Sequence, residues 1–205
     1  MELKYVGAKP KVSGKGVSFD QTKPDKYTFL TAAVELLEAF ESEVPKDNIV
    51  NLHNVRTKEY SSHDLLELLK KHCTNLQSVF DSREEKTNTL IETYLGTIDK
   101  NEHISADERR AWIGNVNIMR DYYLQYITNE SAYECALHAL ADKIHAQHID
   151  AIHFPMGRNH GLVLSHLVDV LRDHIPPYDA TMIAQTQEGE THAILSMNRP
   201  RPIEL

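Results

Sequence analysis

Five residues with chemistry to offer, Glu134, His138, Asp142, His145 and His148, follow one another at helical spacing. At 100° per residue Glu134, His138, Ala141, His145 and His148 share one stripe within an arc of about 80°. Tyr133, Leu137, Leu140 and Ile144 flank one edge of it, Cys135, Ala139, Asp142 and Ala146 the other, and Lys143, Gln147 and Asp150 project opposite. The stripe therefore borders an apolar face, with His145 and His148 expected inward and His138 nearer the edge. Buried imidazole and carboxylate need partners, which leaves a hydrogen-bonded polar layer, a metal site or a ligand pocket.

For a metal, Glu134 with His138 and His145 with His148 are pairs that stand above one another on a helix, about 5–6 Å apart at Cβ. Asp142 lies four residues after His138 and three before His145, placed to ligate beside either or to orient either. Remaining ligands would come from elsewhere in the chain, with Glu84, His153 and His160 as candidates. Imidazole with carboxylate suits a divalent transition metal such as zinc or iron. H-E-x-x-H, paired E-x-x-H and C-x-x-C patterns are all absent, so the leading expectation is a polar layer in which Glu134 or Asp142 bonds one of these histidines.

A second set lies in the loop 154–161, where Arg158, Asn159, His160 and Gly161 lead into a helix. Backbone N–H groups at a helix start, an arginine and an imidazole suit a small anion, phosphate or carboxylate. No phosphate-loop or dinucleotide pattern accompanies them, and an ordinary turn capped by Asn159 explains the same residues.

Seven of the twelve histidines fall between positions 138 and 174, where proportional sharing gives about two. Projection places His63 and His166 on polar faces, and His72, His160 and His174 among apolar residues. Cys73 and Cys135 show no zinc or redox spacing, which suits reduced thiols. A net charge of −8, from 22 basic and 30 acidic residues, argues against a surface that coats nucleic acid. Residues 1–10 make no signal peptide and no stretch reaches membrane-spanning length, so cytoplasm is the expected location.

The elements that position these residues read as mainly α, of the α+β kind. The expectation is a single domain holding a bundle of about five to six helices, with a small antiparallel sheet from the N- and C-terminal segments. Residues 1–23 form an extended arm or hairpin, 24–175 the bundle, 178–198 a hairpin and 199–205 a tail. In the first helix Phe29, Ala33, Leu36 and Phe40 make the apolar stripe, with Glu35, Glu38 and Glu41 outside it. A short helix starts at Ser61 or Ser62, and a longer one covers about 76–98. Ser105 to Glu108 has capping-box spacing ahead of a run through Ile127, with Trp112, Ile118, Met119, Tyr122 and Tyr126 inward. Asn129 to Ser131 breaks that run, and the histidine helix follows to His148. Segments 181–187 and 191–197 form a hairpin, and Leu3 to Val6 is expected to add a strand to it.

Function is expected to be that of a small binding or interaction protein with a buried His/Glu layer. The alternatives are a metalloprotein or metal-dependent enzyme on the histidine stripe, and a binder of a small anion at the 157–161 loop. Tyr122, Tyr123, Tyr126 and Tyr133 spread aromatic surface over more than one helix face, so a homodimer is expected.

Overall fold

A computed structural model of the chain describes residues 3, 10–13, 16–19, 26–42, 45–52, 55, 58–155, 158–187 and 190–198. In chain order the elements are β1 (Pro10–Ser13), β2 (Gly16–Phe19), α1 (Lys26–Ser42), β3 (Ile49–Asn51), α2 (Ser62–His72) and α3 (Leu76–Asp99). They continue with α4 (Ala106–Ala146), β4 (Ala151–Pro155), α5 (Arg158–Arg172), β5 (Asp179–Gln187) and β6 (Glu190–Asn198). The fold is mainly helical with a small sheet, as the periodicities predict.

That sheet is mixed and not antiparallel throughout. Its order is β3-β4-β6-β5, with β3 parallel to β4 and the other pairs antiparallel. The C-terminal hairpin is completed by β4, through Ile152 opposite Leu195 and Phe154 opposite Ala193. β1 pairs only with β2, in a separate two-stranded ribbon. Of the expected strand Leu3 to Val6, Leu3 is buried in the core and 4–6 lie outside the described residues. Ile152 and Phe154 alternate with half-buried neighbours, as do Ala193, Leu195 and Met197, so one sheet face is buried against the helices.

α1 is the central helix. Ala32, Ala33, Val34, Leu36 and Leu37 are all buried in succession, an all-round burial that an amphipathic surface helix does not show. Around it pack the second half of α4, through Ala132, Ala136, Leu140 and Ile144, and α5, through Val163, Leu164, Leu167 and Leu171. No described helix is long and apolar enough to cross a membrane.

Local chemistry sets two of the helix starts. Ser61 caps α2 and Ser105 caps α4, each with a reciprocal capping box, through Asp64 and Glu108 respectively. The expected break at Asn129 to Ser131 does not occur, and α4 runs unbroken for 41 residues. With neither glycine nor proline there, the propensity cost is only a few tenths of a kcal/mol per residue, which burial of Asn129 and Ser131 against the core overrides. α5 starts at Arg158, so Asn159 is inside the helix and does not cap it. Only the last third of α4 carries the histidine stripe; the first half, before Asn129, packs against α3.

Candidate functional sites

The histidine stripe does not form the expected buried layer. His138, His145 and His148 are all exposed, contrary to the inward placement of the last two. His148 leaves the stripe because α4 ends at Ala146. It adopts φ 56°, and the N–H groups of His148 and Ile149 donate to the carbonyls of His145 and Ile144. This is a Schellman stop with His148 in the left-handed position usually held by glycine. Glu134 bonds none of the stripe histidines and accepts instead from the Arg83 guanidinium at 2.5 Å. Asp142 faces His174, 3.4 Å away, and His145 Nδ1 lies 2.5 Å from the buried Tyr178 hydroxyl. Among the described residues, no group of three or more His, Cys, Asp or Glu side chains is drawn together as a metal site.

Of the second set, His160 is the residue that the fold commits. Its Nε2 lies 2.6 Å from Glu35 Oε2, with the two side chains 14% and 2% exposed. Glu35 comes from the middle of α1, where the sequence reading placed it outside the apolar stripe; it is buried. Its other oxygen accepts the Lys58 backbone N–H at 2.6 Å. Next to it, Glu38 accepts from Lys58 Nζ at 2.7 Å and from the Tyr60 hydroxyl at 2.5 Å. Burial pushes the Glu38 carboxyl up, but those two bonds outweigh it and hold the group below its usual 4.5. Burial and the adjacent Glu38 push the Tyr60 phenol far up, so it stays protonated and donates. The Glu35 carboxylate thus engages the Nε2 of His160. Gly161 is buried in the first turn of α5, and of Arg158 the structure describes only the backbone. Tyr60, Lys58 and Glu38 complete this cluster, and no local motif in the sequence marks them.

Of two further histidines, one sits differently from projection and one as projected. His166 is not on a solvated face, since Nδ1 lies 2.7 Å from the hydroxyl of buried Tyr133. His72, expected inward, is inward: its side chain is 7% exposed, with Glu41 Oε1 at 3.6 Å. Cys73 and Cys135 are free thiols in hydrogen-bonding contact, which raises Cys73, the donor, and lowers Cys135, the acceptor.

A further unsatisfied feature among the described residues is apolar. α3 takes its main packing from α4. Beyond Phe80 the only buried residue of α3 is Ile98, and before Asn129 the only ones of α4 are Val116 and Tyr122. These three are not part of the main core. Along this two-helix arm Leu90 is 72% exposed, Ile118 53%, Tyr94 50% and Trp112 39%, although the sequence puts Trp112 and Ile118 on a buried side. Leu90, Ile91, Tyr94, Trp112, Val116 and Met119 line a cavity of about 430 Å³ between the helices. Arg120, the charged residue of its lining, donates to Asn88 Oδ1 at 2.7 Å.

No protein-family model matches the chain, and comparisons with curated proteins and with solved structures return no match.

Proposed function

We propose that this chain is an interaction protein that pairs with a second copy of itself through the α3–α4 arm. The observation that carries the reading is the cavity and the row of exposed apolar side chains on a two-helix arm that nothing else in the chain covers among the described residues. A hairpin of two helices has one neighbour per helix, whereas two hairpins related by a two-fold axis give a four-helix bundle in which each helix has two. The arm residues 81–99 and 106–128 present a face about 30 Å long and about 20 Å wide. That is about 600 Å² per copy and about 1,200 Å² in all, the size at which specific interfaces begin. Such a face, rich in Trp, Tyr, Met and Leu and with its arginine already engaged, has the composition of a homodimer contact.

The alternatives have less geometric support. Residues of the proposed metal stripe point to different partners, and His160 is held by Glu35 and not left for an anion.

Trp112 is the only tryptophan, so its emission reports directly on the arm. On dilution the wild-type emission should shift to the red as copies separate, and Leu90→Glu should show the red-shifted emission at every concentration. Identical emission from both proteins across the whole range would overturn the reading.

A further inference from the structure

Two cysteines from different elements meet where the α3–α4 arm joins the rest of the fold. Cys73 closes α2: its N–H donates to the Leu69 carbonyl at 2.7 Å, and its own carbonyl accepts from the N–H of Leu76, the first residue of α3, at 3.3 Å. Cys135 lies inside α4, where Ala132 and Ala139 share its helix face and are small enough for another element to approach closely. Each sulfur is thus carried on backbone held by hydrogen bonds, and the Cys73 thiol donates to the Cys135 sulfur. Both thiols are free, with Cys73 inside the main core and Cys135 packed against it. From hydrogen-bonding contact, two sulfurs reach the ~2.05 Å of a disulfide by a small side-chain rotation.

Exposure and charge give the two thiols different roles. Cys73 is buried and Cys135 half-buried, so a small oxidant from solvent meets Cys135 first. The hydrogen bond from Cys73 holds the Cys135 thiol below its ordinary 9.0, against burial and the Glu134 carboxylate, and the Arg83 guanidinium that bonds Glu134 at 2.5 Å adds to the lowering. The thiolate is the nucleophile, and a partly exposed thiol beside a cation is the environment in which reactive cysteines occur. Cys73, pushed up by donating that same bond and by burial, stays a thiol and stands ready beside its neighbour.

We propose that Cys135 and Cys73 are a reversible redox pair that a hydroperoxide converts to a disulfide, with Cys135 as the attacking thiol and Cys73 as the resolving one. The Cys135 thiolate attacks one peroxide oxygen, the O–O bond breaks, and the departing hydroxide or alkoxide takes up the proton that Cys135 released, leaving a sulfenic acid on Cys135. The Cys73 sulfur then attacks the Cys135 sulfur, the S–O bond breaks, and hydroxide leaves as water with the proton of Cys73. Each sulfur gives up one electron, and the two together reduce the peroxide. The bond encloses residues 74–134, which are α3, the turn 100–105 and α4 up to the cysteine, so oxidation closes a covalent neck at the base of the arm. This chemistry is independent of whether the arm pairs with a second copy.

The test is to treat the folded, reduced full chain with millimolar hydrogen peroxide, then to unfold it with an alkylating label and read the mass. Without peroxide both thiols take the label. After peroxide neither should, the chain should be lighter by two hydrogen atoms, and digestion should yield a peptide joining Cys73 to Cys135 that dithiothreitol separates. Cys73→Ser should stop at the sulfenic acid on Cys135, which dimedone traps, whereas Cys135→Ser should leave Cys73 unmodified over the same time. The wild-type result decides the matter even where a variant fails to fold. Two labelled thiols after peroxide, a disulfide found only between chains, or sulfinic acid on Cys135 with Cys73 still free would overturn the proposal.

Discussion

Glu35 and His160 meet at 2.6 Å across 125 positions of sequence, joining the middle of α1 to the first turn of α5. Glu35 is buried and His160 half-buried, and the contact is completed by one backbone donor, Lys58 N–H. It ties the first turn of α5 to the central helix, because α5 cannot slide along α1 without stranding a carboxylate in the core.

Removing one partner of this pair should therefore be costly. His160→Ala and Glu35→Ala are each expected to lower the unfolding free energy by about 3 kcal/mol or more, measured by urea denaturation. The double variant Glu35→Leu with His160→Leu should cost clearly less than the two single changes added together. Single changes within about 0.5 kcal/mol of wild type would show that the pair is not formed in solution.

Stability should fall with acid in two stages. Burial, followed by the nearby Lys143 ammonium, holds the His72 imidazole below its ordinary 6.5. The unfolded chain then takes up this proton first, so stability declines as pH falls below about 6.5 and continues to decline until the folded-state value is passed. Glu38, held below 4.5 by its bonds to Lys58 and Tyr60 in spite of burial, contributes stability that is present above 4.5 and lost as pH falls through its folded value. Denaturation of wild type and His72→Gln between pH 7.5 and 5 checks the first stage. The slope in that window should flatten in the variant, and an equal slope would assign it to other groups.

At the α4 stop, His148 holds a positive φ that costs an L-residue about 1–2 kcal/mol. His148→Gly should raise stability by about 0.5–1 kcal/mol after the added chain entropy of glycine is subtracted. For a chain of this size that is a rise in Tm of about 2 °C, and His148→Val should lower Tm. A lower Tm for His148→Gly would mean that the imidazole contributes more than the backbone conformation costs.

Much of the fold was legible because its cues are local. The helix start at Ser61 or Ser62, the capping box at Ser105 and the hairpin of β5 and β6 are each specified within a few residues. A single apolar stripe on α1 leaves Glu35 outside it, whereas the helix is buried on every side there. The unbroken run of apolar residues on either side, Ala32 to Val34 and Leu36 to Leu37, is the signal that this helix is buried all round and that its carboxylate must find a partner inside. His148 left the stripe for another reason: projection assumes that the helix continues to His148, and Gln147-His148-Ile149 carries neither glycine nor proline to mark the stop. Exposure of Trp112 and Leu90 was illegible in principle, because periodicity shows that a face is apolar and not what covers it.

The arm is the element on which the functional account depends, and the molar mass in solution measures it most directly. Light scattering over a range of concentrations should give twice the 23.4 kDa of one chain at high concentration, with Trp112→Glu reduced to the single-chain mass. A wild-type mass that stays at 23.4 kDa at every concentration would contradict the account.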